Sequence, residues 1–511
     1  SDCWTDHYRF ERAILAKHCP KVPATTNLVT WLGHISNQQL GAALDVVSTD
    51  IYPNVEPRSG DGPAFSADLS RGYAGGRPWL LMEQAVNYIN WMGPNTLKRP
   101  GMLHQWTMQI LARGADSVIY FQARQSRRGA EKFLSAVIPN TPPEATRSYR
   151  EARQLGRDLG RLAPLRGSVS RSEVAILTDA DSRWALDQSG RIDQRGSYSD
   201  YVQEYYRACF EENIPVDLVS PESDLSGYRL VLAPALHVVG RERAKHLEQY
   251  VESGGVLLGT FLTGIVDQDD ALVPDGGPGH LRDLFGLWVE EWDPSPEGRG
   301  NRFRLGNGRE IHSHEFAEVI HLRGAIALAH FTADDYAGSP AITWHEYGEG
   351  RAYYIACRPE PSFLREGLRH LCHQTGVAPL LVPPQGVEVV LPPLNTPPEV
   401  SPKAPSTPPE VLAKLPHRSP TSPDQPPQQP SSSRAAETSR STAIRETDNP
   451  PSTVEAKRPA KPSSPEPRTI RLCTTNKGIG LCGMPLVHEG PSGCSSCEES
   501  QGKQHSQECK A

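Results

Sequence analysis

Four short apolar stretches in the first 165 residues constrain the fold of this chain more than any other feature. They lie at residues 22–28, 44–52, 78–82 and 117–121. Segments with helical spacing lie at 6–18 and 99–113. Short apolar strands that alternate with helices are typical of a parallel sheet whose two faces are both covered. The sequence therefore predicts an α/β fold for residues 1–165.

The middle of the chain, residues 168–381, repeats this alternation in a second form. Its predicted strands lie at 174–177, 216–219, 230–234 and 256–259. Helices are predicted at 201–212 and in a segment that ends at 252. This order is typical of a flavodoxin-like, doubly wound domain, so we predict that a second α/β domain follows the first.

The last part of the chain, residues 391–511, has a composition that opposes folding. Pro, Ser, Thr and charged residues dominate 391–470, and no Phe, Trp or Tyr follows Phe363. Such a stretch buries too little apolar surface to offset its ordering entropy, so we predict a disordered Pro-rich tail. Its PxxP-like runs also suit SH3-like domains, which is an alternative that we rank below a solvated tail.

The ten cysteines fall into two groups. Five lie after residue 470, and five are scattered through the part predicted to fold: Cys3, Cys19, Cys209, Cys357 and Cys372. Scattered cysteines in domains of this size indicate free thiols in a reducing compartment, so we predict a cytoplasmic location. The tail holds one CxxC pair, whereas a zinc site needs four converging ligands. We therefore expect no metal and no cofactor.

Charge and hydropathy exclude two classes of partner. The formal net charge is −7, which argues against nucleic acid, because a binder of phosphates needs a basic stripe. No apolar run approaches the length that spans a bilayer, so we expect no membrane partner. Residues 1–20 are polar and begin without Met, so we expect no signal peptide and a native N-terminus further upstream.

Glu83 is the candidate catalytic residue that the sequence itself singles out. It follows the apolar stretch 78–82, and parallel α/β sheets place functional groups at the carboxyl ends of their strands. Gln84, Asn87, Asn90 and Trp91 come next. Amides suit sugar hydroxyls and an indole suits the apolar face of a pyranose, although a Glu at a strand end is also commonly an ion-pair partner.

Longer runs around Glu83 resemble glycoside hydrolase family 42. The resemblance to its nucleophile region rests on Leu80-Leu81-Met82-Glu83-Gln84, Asn90-Trp91, Pro94-Asn95, Lys98, Pro100-Gly101 and Trp106. The resemblance to its last barrel strand and loop rests on Gly114-Ala115-Asp116, Tyr120-Phe121-Gln122, Arg124 and Gly129-Ala130-Glu131-Lys132-Phe133. Asp50 and Tyr52-Pro53 resemble the barrel strand before the nucleophile strand.

The resemblance implies a domain order. Residues 1–165 would be the C-terminal half of a (β/α)₈ TIM barrel, with only its last four strands. Residues 168–381 resemble the flavodoxin-like trimerisation domain, through runs such as Asn213-Ile214-Pro215-Val216-Asp217. Residues 386–390 resemble the opening strand of the small C-terminal β domain, before the tail at 391–511. A homotrimer is the implied assembly.

The resemblance also implies a reaction and a site. The activity is that of a β-galactosidase, which hydrolyses terminal β-D-galactosides with retention of configuration. Glu83 would be the nucleophile and would form a galactosyl-enzyme intermediate. Trp91, Phe121 and Glu131 would line the galactose pocket, and Tyr52 would join them.

Two residues depart from the family pattern within this region. Leu134 stands where the family usually has His, and Ala123 stands where it usually has Trp. Loss of a hydrogen bond to a sugar hydroxyl is worth about 1–3 kcal/mol, so we expect weaker or altered substrate binding.

The acid/base carboxyl is the larger departure. In the family it belongs to an Asn-Glu pair at the end of the fourth barrel strand, and residues 1–165 contain no such pair. Glu11 is expected on the first helix as a solvated charge. The chain then resembles a truncated enzyme, whose full activity needs an acid/base from elsewhere. The alternative is a catalytically dead fragment that keeps only an oligomerisation domain.

The second domain raises one competing activity. Its fold is shared with class I glutaminases, which need a nucleophilic Cys between a strand and a helix. Residues 255–260 contain no Cys, which argues against amidotransfer.

Overall fold

A computed structural model gives the architecture of the chain. The structure describes residues 1–390 except 31–32, 56–59, 171, 189, 194, 297, 380 and 382–386. The predicted tail at 391–511 and its cysteines lie outside the described residues, as does residue 386 of the predicted remnant strand.

The first part of the chain forms a four-stranded parallel sheet. Its strands lie side by side in chain order: β1 (Asn27–Val29), β2 (Ser48–Asp50), β3 (Trp79–Glu83) and β4 (Ala115–Val118). The helices of this part are α1 (Asp2–His18), α2 (Asn37–Ala43), α3 (Asp61–Tyr73), α4 (Met102–Ala112) and α5 (Arg147–Arg161). Short 3₁₀ turns lie at Ala130–Phe133, Pro143–Ala145 and Ala163–Leu165. The strands predicted at 44–52, 78–82 and 117–121 overlap β2, β3 and β4, and the predicted parallel arrangement is confirmed.

The predicted strand at 22–28 is mostly wrong, because β1 covers only its end. Pro23 has no N–H to give to a ladder, and side chains occupy the polar groups of Ala24. The Tyr8 hydroxyl donates to the Ala24 carbonyl at 3.0 Å, and the Ala24 N–H donates to Asp45 at 2.8 Å. Residues 22–26 are thus held by side chains rather than by a neighbouring strand.

The register of this sheet brings the ends of its strands together. Val29 pairs with Asp50, and Asp50 pairs with Glu83. The N–H of Ile51 donates to the Glu83 carbonyl at 2.9 Å, which extends the pairing by one residue. Trp79 and Leu81 of β3 are fully buried, so the strand end that carries Glu83 is anchored in the core. Side chains at this edge therefore come from strands far apart in sequence.

The second part of the chain forms an eleven-stranded mixed sheet. Its strands are β5 (Val174–Leu177), β6 (Val216–Val219), β7 (Leu230–Ala233), β8 (Val256–Thr260), β9 (Leu287–Pro294), β10 (Arg302–Leu305), β11 (Glu310–Leu322), β12 (Ile326–Phe331), β13 (Pro340–Tyr347), β14 (Gly350–Ile355) and β15 (Cys357–Pro359). Strands β6, β5, β7, β8 and β14 are parallel, and the remaining pairings are antiparallel. The helices of this part are α6 (Ala180–Asp187), α7 (Tyr198–Glu211), α8 (Arg241–Glu252), α9 (Arg282–Phe285) and α10 (Pro361–Gln374). One more 3₁₀ turn lies at Gly279–Leu281.

The parallel half of this sheet is the doubly wound pattern that the sequence predicts. The strands predicted at 174–177 and 216–219 have the observed bounds. Helix α7 begins three residues before its predicted start, because Ser197 and Asp200 form a capping box in which each side chain accepts from the other's backbone N–H. The antiparallel half was not predicted. In β10 and the first part of β11, exposed residues alternate with buried ones, so these segments lack the continuous apolar runs of buried parallel strands.

Helix α3 joins the two parts of the molecule through close backbone contact and buried charge. A Cβ on Gly72 would lie 1.8 Å from the Leu218 carbonyl oxygen of β6, so the helix can approach this strand only through a glycine. The preceding residue, Arg71, donates to Asp217 of β6 at 2.8 Å and to the Val216 carbonyl at 2.7 Å. The two sheets are therefore packed around this helix.

Asp68 lies at the centre of the buried charges. It accepts from Arg71 at 2.5 Å, from Arg113 of α4 at 3.0 Å and from the Tyr206 hydroxyl of α7 at 2.7 Å. Arg113 also pairs with Glu388, in the described segment 387–390. The three charged residues Asp68, Arg71 and Arg113 are buried. One carboxylate thus ties together three helices from both parts of the chain.

We expect Asp68→Ala to lower the free energy of unfolding by about 3–5 kcal/mol, because it leaves two buried guanidinium groups without their shared partner. Urea unfolding followed by circular dichroism measures this difference. Asp6→Ala is the matched control, because it removes an Asp–Arg pair that is exposed on both sides, between Asp6 and Arg9 of α1. A loss for Asp68→Ala no larger than that of the control would contradict the role assigned to this carboxylate.

Within the described ranges, no helix combines the length and the apolar character that a bilayer crossing requires.

Candidate active site

Glu83 is the last residue of β3, at the carboxyl edge of the first sheet. The buried residues Trp79 and Leu81 fix the strand, whereas the Glu83 side chain is only partly buried. The sequence placed this residue at a strand end, and that prediction is confirmed. Its carboxylate is therefore held on a rigid element and remains accessible from one side.

Both carboxylate oxygens of Glu83 have a hydrogen-bond donor. The Tyr52 hydroxyl donates to Oε2 at 2.9 Å, and the Asn27 side-chain amide donates to Oε1 at 3.4 Å. Both oxygens of this carboxylate are therefore held in direction by a neighbouring side chain. Burial raises the pKa of Tyr52, and its hydrogen bond to Glu83 raises it further, so this hydroxyl keeps its proton and acts as a donor.

Trp91 is the aromatic side chain beside this pair. Its ring meets the Tyr52 ring edge to face, with centroids 4.9 Å apart and planes at 82°. Trp91 is 47% exposed, so much of its indole is free to contact a ligand. Tyr52, Glu83 and Trp91, three residues that the sequence selected, therefore lie together.

Phe121 and Glu131 are joined to this group less directly. The Phe121 N–H donates to the Gln84 carbonyl at 3.1 Å, which places Phe121 beside the residue that follows Glu83. Glu131 is exposed on the 3₁₀ turn Ala130–Phe133, and its charge contributes to the raised pKa of Tyr52. The Asn90 side chain donates to the Ala130 carbonyl at 2.9 Å and links this turn to the loop after β3.

The amides that follow Glu83 have structural roles, in contrast to the sequence interpretation that they face sugar hydroxyls. Gln84 is fully buried, and its side-chain oxygen accepts from the Lys98 ammonium at 3.4 Å. The Asn87 side-chain oxygen accepts from the Lys98 N–H at 3.0 Å. Polar groups of this loop therefore hydrogen-bond to one another, which the residue types alone did not indicate.

Lys98 is a buried ammonium group close to this loop. It donates to the Ala85 carbonyl and lies 4.9 Å from the centroid of the Trp106 ring. Burial lowers the pKa of Lys98 to about 7. The loop after Glu83 is therefore held by the Lys98 ammonium, and the contacts of this group only partly offset the free energy lost when it leaves water.

Asn27 and Asp50 belong to the site, although the sequence did not select them as site residues. Both oxygens of Asp50 lie 3.0 Å from the Asn27 Nδ2 that also reaches Glu83. Asp50 is 8% exposed, and burial raises its pKa to about 7, with a further contribution from the charge of Glu83. An Asp at the end of an apolar stretch, two residues before Tyr52, was the available signal.

The two departures from the family pattern lie in different environments. Leu134 is buried, and Ala123 is exposed.

No group of three or more His, Cys, Asp or Glu side chains suited to a metal ion was found in the part of the chain that the structure describes.

Comparisons with known proteins agree on one family. A family model described as β-galactosidase matches residues 1–162, and a second described as β-galactosidase trimerisation domain matches residues 172–378. The β-galactosidase BgaP of Planococcus sp. strain L4 is 38% identical over 395 residues, which are 76% of this chain and 58% of that protein. A β-galactosidase of Geobacillus kaustophilus is 38% identical over 397 residues, with 75% and 59% covered.

Solved structures give the same result. The β-galactosidase from Bacillus circulans sp. alkalophilus matches with a TM-score of 0.74 and 37% identity, covering 76% of this chain and 58% of that one. Gan42B, a GH42 β-galactosidase, matches with a TM-score of 0.71 and 32% identity, covering 75% and 57%. The chain thus spans less than two thirds of the length of these relatives, but its two domain matches, its identity to them and its fold show that it belongs to glycoside hydrolase family 42.

Proposed function

We propose that this chain carries the nucleophile side of the active site of a retaining β-galactosidase, with Glu83 as the nucleophile. The observation that carries the proposal is the pair of donors on the Glu83 carboxylate, at the carboxyl edge of a parallel sheet. A nucleophilic carboxylate must be fixed in direction when the sugar arrives. The two donors hold the Glu83 carboxylate in this way.

In the proposed reaction, a Glu83 oxygen attacks the anomeric carbon of a terminal β-D-galactose. A galactosyl-enzyme ester forms while the bond to the leaving group breaks, and water later hydrolyses this ester with net retention. The relatives named β-galactosidase support galactose as the sugar.

The neighbouring side chains have distinct proposed roles. Trp91 offers an exposed indole face to the apolar side of the sugar ring. Phe121 lines the same pocket from the segment after β4, and Glu131 accepts hydrogen bonds from sugar hydroxyls. In the site without a sugar, the Tyr52 hydroxyl donates to Oε2 of Glu83. The proposed role of Tyr52 is therefore to hold Glu83 rather than to bind the sugar.

We further propose the domain assignment that the family implies. Residues 1–165, with the sheet β1 to β4, are the last four strands of a (β/α)₈ barrel, and residues 168–381 are the flavodoxin-like trimerisation domain. Residues 386–390 are the start of the family's C-terminal β domain. The cysteines of the described part are free thiols, which supports a cytoplasmic location.

A retaining hydrolase also needs a second carboxyl about 5–5.5 Å from the nucleophile, as acid and base. We assign no described residue of this chain to that role. A leaving group that departs without a proton removes the need for the acid in the first step. Azide removes the need for the base in the second, because it attacks the ester without losing a proton.

We therefore expect the purified chain to release dinitrophenol from 2,4-dinitrophenyl β-D-galactoside, and azide to increase the rate. Glu83→Gln should lower this activity by about a thousandfold or more, because an amide does not form the ester. Glu11→Gln is the matched control, since Glu11 is an exposed carboxylate on α1. Absorbance of the released phenolate measures all three proteins.

Activity that persists in Glu83→Gln would contradict the nucleophile assignment. Absence of turnover with and without azide would instead favour the second candidate function, a chain without catalysis that serves self-association. The match of residues 172–378 to a trimerisation domain is the observation that favours this candidate.

The assembly that both candidates share is a homotrimer. We expect size-exclusion chromatography with light scattering to give a mass three times that of the 511-residue chain. A dilution series tests whether the trimer dissociates. A monomer mass at every concentration would rule out the proposed assembly without bearing on Glu83.

A further inference from the structure

Asn27, Asp50 and Glu83 come from three adjacent strands and meet at the proposed catalytic edge. Asp50 and Glu83 are paired residues of β2 and β3, and Asn27 opens the neighbouring strand β1. All three residues lie on strands rather than in a flexible loop. Asn27 pairs with Ser48, two residues before Asp50, and its side chain reaches Asp50 and Glu83. A group built this way keeps its geometry without a ligand.

The Asn27 amide is shared between two carboxyl groups. Its nitrogen lies 3.0 Å from each oxygen of Asp50 and 3.4 Å from Oε1 of Glu83. A primary amide has two N–H bonds, so one serves Asp50 while the other serves Glu83. The Asp50 contact, being shorter and buried, determines how the amide is turned.

The two carboxyl groups are not equivalent. Asp50 is buried, whereas the Glu83 side chain is partly exposed and accepts from two donors. The groups that face Asp50 are the Asn27 amide from β1, the Glu83 carboxylate from β3 and the Tyr52 hydroxyl from the loop after β2. Burial and the charge of Glu83 raise the pKa of Asp50, and the Asn27 hydrogen bond lowers it.

We propose that Asn27 and Asp50 are positioning residues for Glu83: Asp50 orients the Asn27 amide, and the second N–H of that amide holds Glu83 Oε1 in the direction of attack. This inference rests on the proposed function of Glu83. With Tyr52 on Oε2, the carboxylate is held at both oxygens, so little reorganisation remains when the sugar binds.

The arrangement makes Asp50 a reporter of the charge on Glu83. When Glu83 becomes a neutral ester, the charge that favours the protonated form of Asp50 is lost, and its proton is released to solvent more readily. Glu83→Gln is a neutral mimic of that state which forms no ester. The coupling is therefore measurable without any turnover.

The first experiment measures the ionisation of Asp50 in the full chain. Infrared spectra with ¹³C-labelled aspartate follow the carboxyl band with pH, and Asp50→Asn identifies which band belongs to Asp50. We expect a midpoint near about 7 in the natural chain. Glu83→Gln should lower the midpoint, and Asn27→Ala should raise it, because it removes the hydrogen bond that favours the ionised form.

Thr25→Ala is the matched control for this titration. Thr25 Oγ1 and Ser48 Oγ lie 2.8 Å apart, so this pair links the same region of the sheet without touching Glu83. The control should leave the Asp50 midpoint unchanged, and its thermal unfolding gives the cost of losing such a contact. An Asp50 midpoint that stays the same in both Glu83→Gln and Asn27→Ala overturns the proposal.

The second experiment measures the attack by Glu83. A 2-deoxy-2-fluoro β-galactoside with a dinitrophenolate leaving group traps the nucleophile as a stable ester, which mass spectrometry detects. Asn27→Ala should lower the trapping rate constant about tenfold, equivalent to about 1.4 kcal/mol, with little change in the concentration for half-saturation. Asp50→Ala should behave similarly, and Asp50→Asn should recover most of the rate, because its amide oxygen still accepts from Asn27.

The outcomes separate this proposal from the proposed function. If the natural chain is not trapped at all, the function of Glu83 fails, and the titration still decides whether the three side chains are coupled. If trapping occurs but Asn27→Ala reacts at the rate of Thr25→Ala, the positioning role is overturned. An effect on half-saturation alone would likewise overturn it, since that result indicates sugar binding rather than orientation of the nucleophile.

Discussion

The parallel register of the first sheet is the constraint on which the proposed site depends. It pairs Asp50 with Glu83 and places Val29 beside Asp50, so the ends of three strands meet at one edge. Backbone hydrogen bonds fix this alignment, and the buried side chains of β3 prevent it from sliding, because a shift by one residue would turn Trp79 and Leu81 out of the core. The side chains that surround Glu83 are then set by their strand positions.

The sheet is in turn supported by the second part of the molecule. Helix α3 packs on β6 through Gly72, and Arg71 crosses to Asp217 beside that contact. Asp68 then links α3 to α4 and α7. Breaking a buried ion pair of this kind is costly, because the remaining charge stays buried without its partner. The orientation of the two parts is therefore specified by a few groups with demanding geometry.

Local pattern predicted much of the fold, and it failed where contacts between distant residues decide the outcome. The buried strands β5 and β6 were found with their bounds, because a continuous apolar run between turns has few other structures. The stretch at 22–28 looked similar, but Tyr8 and Asp45 bind the backbone of Ala24, and neither contact is visible from the stretch itself. Among the antiparallel strands of the second sheet, β10 and the first part of β11 carry a weaker signal, because exposed and buried side chains alternate along them.

The sequence predicted part of the candidate site, as it predicted part of the fold. Glu83 could be found from the strand before it, and the resemblance added Tyr52 and Trp91, which the structure brings into contact. The amides after Glu83 were misjudged, because a sequence does not show which polar groups already have partners within a loop. Asn27 and Asp50 were missed for the opposite reason, since their relation to Glu83 exists only through the register of three strands.

Because the Lys98 ammonium is buried beside the loop after Glu83, its contribution to the stability of the fold depends on pH. A lysine in the unfolded chain titrates near 10.5, whereas burial lowers the pKa of Lys98 in the folded chain to about 7. Between these values unfolding takes up a proton, so this group disfavours the fold most at and below neutral pH, and the penalty fades as the solution becomes alkaline. The loop that follows the proposed nucleophile is therefore destabilised less by Lys98 above neutral pH than below it.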